Sequence, residues 1–386
     1  MEGGGITGVL GQPWRADVTA RGCIEPWDGS PPLDWHVAAD DRWHTPATEV
    51  AVRQQRLNGT PVFETRLRIP GGDAVQRVWS VPDRGGMTCV EVTNESPLPI
   101  ACAFTRADLL TARPPTTVPI QGIDLPTATT TVLPVGHHSS ITVALGHSAP
   151  QRGRLPDRLA DAAAVVAGWV AMAERASRLD LPELALVERV VGARCDLLLG
   201  GLADPDHDGV AFLVGAGELV RMGELDELAL ADLVPSVALV AESLAGLAGW
   251  KVDAAVDAAA AVLHAAGERR AVADVARIVL RRPPCAVELQ AAPGSLGVAV
   301  VERRLLRGPN LFPDGFPAGW RGANLEAHDL RAGPATSVSF AVRWHGAHPA
   351  VLWEVQGDTV ELAAPAVDSS WRTTDRAGEA LWRLAG

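Results

Sequence analysis

Tyrosine is absent from this chain, and Lys251 is its only lysine. Alanine and arginine are abundant instead, a skew that looks like GC-rich coding and carries no functional weight. A basic excess is also missing: the formal charge is −12 and the pI about 5.3. Nucleic acid and anionic membrane both reward clustered basic residues, so neither is expected as a partner. Apolar runs such as 162–172, AAAVVAGWVAM, fall far short of the roughly 20 residues that span a bilayer, and no transmembrane helix is expected. The opening MEGGGITGVLGQPWRADV has neither a basic n-region nor an apolar stretch of signal-peptide length, which predicts a cytoplasmic protein.

Cysteine is scarce and unpatterned. Cys23, Cys89, Cys102, Cys195 and Cys285 are odd in number and never spaced as CxxC, so they are read as reduced, mostly buried small hydrophobes. Catalytic signatures are lacking as well. GGGITGVLG has no preceding strand and is no dinucleotide fingerprint, and GxSxG, a phosphate loop and HExxH do not occur. His137 and His138, in PVGHHSS, have no nearby acid and read as turn residues. DPDHDG at 204–209 opens like a calcium loop, but its twelfth position is Gly215 where a bidentate Glu is required. Asp208 reads instead as the N-cap of a following helix. Neither metal nor cofactor is expected.

What is present falls into three textures. From about residue 15 to 148 the chain is rich in Thr, Val and Pro and alternates in twos: Phe63, Thr65, Leu67 and Ile69 face one way, Glu64, Arg66 and Arg68 the other. PGGD at 70–73 turns this strand into a second through Val75 to Val81. NESP, inside MTCVEVTNESPLPIACAFTR, reads as a hairpin turn. Frequent strands with Gly and Pro between them indicate a β-sandwich over 1–150. Around residue 155 the period becomes helical, and six amphipathic stretches with short Gly, Asp or Pro breaks read as antiparallel hairpins over 151–282, closed by Pro283 and Pro284. From Cys285, VELQAA, GVAVVERRLL, TSVSFAVRW, AVLWEVQG and TVELAAP read as strands of a C-terminal β domain, 283–386. The expected fold is therefore a multidomain α and β protein.

This order, together with the strand-turn-strand VEVTNESPLPIACAFTR, resembles bacterial six-hairpin glycosidases, the glucoamylase-like α/α-toroid enzymes. The resemblance covers nearly the whole chain. It implies a carbohydrate ligand and, where catalysis is retained, glycoside hydrolysis. A complete toroid has more helices than this segment holds, so the chain would be a half-size version. No motif transfers the family's catalytic acids.

Sugar recognition needs flat apolar faces for the ring and planar polar groups for its hydroxyls. Two windows supply both. The first holds Trp35, His36, Asp40, Asp41, Arg42, Trp43, His44 and Glu49; the second holds Trp320, Arg321, Asn324, Glu326, His328, Arg343, Trp344, His345, Trp353 and Glu354. Strand alternation puts Arg343 and His345 on one side and Trp344 on the other. Hydrolysis would need two carboxyl groups flanking the scissile bond, and Asp40 or Asp41 with Glu326 are the candidates. The rival reading is a non-catalytic structural or interaction protein, whose Trp, Arg and acid clusters are interface packing in a chain that also pairs with its own copies.

Overall fold

Alternation along 63–69 does produce a strand, Phe63–Ile69, and it turns into its antiparallel neighbour Gly72–Val81. The computed structural model describes residues 4–116, 122–125, 129–148, 153–280, 292–346 and 348–384. Pro283, Pro284, Cys285, the VELQAA run and the expected boundaries near 150 and 282 lie outside these residues. Among the described residues the chain is mixed α and β, with seven helices and five sheets. It divides into two compact units, Met1–Val170 and Ala171–Gly386. Among the described residues no helix is long and apolar enough to cross a membrane.

In the first unit a seven-stranded and a four-stranded sheet share one core. Phe63, Leu67, Val78, Val90 and Val92 come from the former, and Trp35, Val37, Cys102, Phe104 and Leu133 from the latter. The far face of the larger sheet carries Trp79, Val81, Met87 and Cys89, against which helix α1 (Ala162–Ala173) sets Ala162, Val165 and Val166. NESP does not close a hairpin. Met87–Asn94 pairs within the seven-stranded sheet, whereas Ile100–Phe104 pairs with Trp35–Ala38 and Thr131–Val135 in the other. The turn therefore crosses from one sheet to the other. Asn94 holds the corner, its Nδ2 donating to the carbonyls of Leu98 (2.7 Å) and Gly136 (3.1 Å) while its Oδ1 accepts from Ser96.

The second unit combines what the sequence divides into a helical domain and a β domain. Its helices are α2 (Leu184–Gly200), α3 (Gly209–Met222), α4 (Glu227–Ser243), α5 (Trp250–Ala265), α6 (Arg269–Leu280) and α7 (Gly294–Leu305). Asp208 and Asp226 cap α3 and α4 through the amides of Ala211 and Ala229. GVAVVERRLL, expected as a strand, forms most of α7. The helix is covered on two sides: Val298, Val301 and Leu305 enter the core of the C-terminal sheets, and Leu296 and Val300 enter the core among the helices. A helix buried on both sides has little polar contrast around it, so its valines read as β-prone although tertiary contacts select the helix. This shared helix joins the two cores into one unit.

Asn94 is fully buried, so Asn94→Ala removes all of its corner bonds: the Ser96 amide loses its acceptor, and the Leu98 and Gly136 carbonyls keep only the hydroxyls of Ser96 and Ser139. Urea unfolding should show a loss of about 2–3 kcal/mol; a loss under about 0.5 kcal/mol would show that the corner does not depend on it.

Candidate functional site

The first window folds as a self-satisfied corner of the first unit. Trp35 is fully buried in the sandwich core and its Nε1 donates to the Arg21 carbonyl at 3.1 Å. His36 is buried and paired with Thr45, and burial lowers its pKa. His44 lies between Asp41 (2.9 Å) and Glu49 (3.1 Å), and Arg42 closes on Glu49 at 2.6 Å. Hydrogen bonding from His44 holds the exposed Asp41 carboxyl below its ordinary value, and Arg42 does the same for Glu49. Asp40 is exposed and Trp43 half-buried. The Trp35 ring expected to face a sugar is thus taken by packing.

The second window divides along the strand pleat. Trp320 and Trp353 are buried in the core of the C-terminal sheets, and Trp344 packs on Phe316. Trp353 donates to the Asp375 carbonyl at 3.0 Å and meets Trp371 edge-on. Asn324 accepts from the amide of Trp344. On the opposite face Glu326 takes hydrogen bonds from His328 (3.1 Å) and Arg343, which hold its carboxyl below the ordinary range. Arg178 reaches the same imidazole at 3.0 Å. Arg321, His345 and Glu354 are exposed. Asp40 and Asp41 belong to the first unit and Glu326 to the second.

A third cluster, absent from either window, dominates the second unit. Arg194 on α2, 1% exposed, donates to Glu218 of α3 (2.7 Å) and to Glu302 of α7 (2.8 Å). Arg221, one helical turn beyond Glu218, also bonds both carboxylates, at 2.6 and 2.7 Å, and reaches the carbonyls of Ala176 and Asp329. Ser177 donates to Glu302 at 2.6 Å and accepts from Arg194. Burial opposes ionisation of Glu218, but the two guanidiniums overcome it and hold its pKa at about 2. Glu218 is therefore a clamped, acceptor-only anion, and Glu302 accepts from Ser177 and both arginines.

This cluster forms one wall of a cavity of about 450 Å³. Helix spacing aims the other residues at it. Val214, Gly217, Glu218 and Arg221 line it from α3, Ala254, Asp257 and Ala258 from α5, Val272 and Ala276 from α6, and Ala299, Glu302 and Arg303 from α7. Gly217 is required by close packing, since a Cβ there would stand 2.8 Å from that of Ala258. Asp257 bonds Arg303 at 2.6 Å and is half open to the cavity, yet the desolvating walls raise its pKa. The strand Leu325–Gly333 contributes Leu330 and Arg331 through a bulge, where His328 and Asp329 stand opposite Ser339 alone and Asp329 takes a left-handed φ of 58°. A second depression, in the first unit beside Trp79, is rimmed by Arg154 and Asp157, an ion pair open to water and so weak. Among the described residues no group of three or more His, Cys, Asp or Glu is placed to hold a metal.

The sequence carries a signal for this cavity. Glu218, Asp257 and Glu302 interrupt apolar helix faces one turn from small residues, where a surface charge has no place. Removing one partner from such a network leaves a buried charge uncompensated. Glu218→Gln should cost roughly 3–5 kcal/mol at neutral pH in urea unfolding. Because the folded pKa is depressed, the stabilisation is complete above the unfolded value of 4.5 and is lost as pH falls toward about 2. The variant should lose less stability than the parent across that interval, and an equal loss would refute the assignment. No protein-family model and no curated protein matches this chain.

Proposed function

We propose that the second unit is a small-molecule binding module whose site is the cavity between α3, α5, α6, α7 and the strand Leu325–Gly333. The observation that carries this reading is the cavity itself. Its volume of about 450 Å³ suits a small organic ligand, and it sets a few convergent charged groups against mainly aliphatic walls. Binding is favoured over hydrolysis by the state of its acids. Glycoside cleavage uses one carboxyl that can give a proton and a second that acts as base or nucleophile. Glu218 is held ionised and Glu302 is saturated by Ser177 and two arginines, so only Asp257, with its raised pKa, retains acid character.

A neutral apolar dye, phenylnaphthylamine, tests for the site. Its fluorescence should rise saturably at one equivalent, and Ala299→Phe, which sets a ring into the cavity, should abolish the rise while leaving the melting temperature near that of the parent. Unchanged binding by Ala299→Phe would place the dye elsewhere and sink the reading.

A carbohydrate-directed reading keeps one observation in its favour. Glu326, His328 and Arg343, with Arg178 beside them, form a partly open planar cluster of the kind sugar hydroxyls engage. A panel of glycosides and oligosaccharides screened by calorimetry tests it. Binding lost in Glu326→Gln would support it, and no binding by the parent would end it.

A further inference from the structure

Among the described residues one guanidinium on the cavity wall, that of Arg331, makes no hydrogen bond. Every carboxylate there is taken: Glu218 and Glu302 by Arg194 and Arg221, Asp257 by Arg303. Among the described residues nothing accepts a hydrogen bond from Arg331, although it lines the same wall and its Nη1 lies 3.5 Å from where a Cβ on Gly217 would stand. Burial and the adjacent Arg221 cation lower its pKa to about 10, against the opposite pull of Glu218, Glu302 and Asp257, so it is charged at neutral pH. Those carboxylates balance its charge in part, yet its N–H donors engage none of them. The bulge at Asp329 nevertheless shifts the strand register just before this residue, the kind of device that re-aims a side chain.

We propose that Arg331 receives the carboxylate of an amphipathic monocarboxylic acid whose aliphatic body lies along Val214, Ala258, Val272 and Ala299. The inference rests on the cavity being a ligand site. A guanidinium fork matches a carboxylate in a bidentate manner and gains strength where water is excluded. A single negative charge is selected because Glu218, Glu302 and Asp257 share the wall, and a dianion such as a phosphate monoester would bring its second charge toward them. The body is aliphatic because no aromatic side chain lines the cavity among the described residues. A cavity of about 150 Å³ accommodates benzene, so this one has room for roughly 15 to 18 non-hydrogen atoms.

Calorimetric titration of the full chain with decanoate, decanol and decyl phosphate tests the inference. Decanoate should bind about 10- to 100-fold more tightly than decanol, the range expected of a charge-assisted pair, and more tightly than decyl phosphate. In Arg331→Gln the decanoate advantage should vanish while decanol affinity stays within about twofold, and Arg331→Lys should restore part of it. Equal affinity of the parent for decanoate and decanol, or a preference for the phosphate, overturns the monocarboxylate assignment while leaving the cavity reading standing. Failure of all three ligands to bind a parent that takes phenylnaphthylamine also overturns it. Failure of the dye as well removes the cavity reading on which it rests. The ratio measured on the parent needs no variant, so a variant that does not fold leaves the test decisive.

Discussion

A buried charge must find a partner of opposite sign, and the second unit is organised around that requirement. Arg194, Arg221, Glu218 and Glu302 come from three helices, and each guanidinium bonds both carboxylates. Sliding any one helix along its axis would break several of these bonds at once and expose the others to an uncompensated charge. The lattice thus sets the registry of α2, α3 and α7. Through the Asp329 carbonyl it also fastens the bulged strand that delivers Arg331. Apolar packing alone does not define registry so sharply, because aliphatic cores tolerate rearrangement when volume is conserved.

The same lattice decides what kind of chemistry the cavity supports. Ionised carboxylates held by paired guanidiniums are poor proton donors and poor nucleophiles, since their lone pairs are already engaged. They do shape the field around them, which is how a cavity can prefer one charge state of ligand over another without reacting with it. The first window follows the same economy on a smaller scale. His44, Asp41, Glu49 and Arg42 satisfy one another, which explains how so many polar groups fit in one short segment. Its Trp35 is there to fill the core between two sheets.

The sequence alone determined the texture of the chain: strands through the first part, helices after about residue 155, and strands again toward the end. Those follow from local alternation, helical spacing and turn residues, which act over a few positions. It also determined that Asp208 caps a helix, because capping is a local hydrogen bond. Tertiary structure decided the rest. NESP is a corner between sheets because the partners of Ile100–Phe104 lie far along the chain. GVAVVERRLL is a helix because it is covered from two directions. The cavity, finally, was visible in sequence only as acids in unlikely places. Which arginine each acid meets depends on bringing together residues 177, 194, 218, 221 and 302, and that is a property of packing rather than of any local pattern.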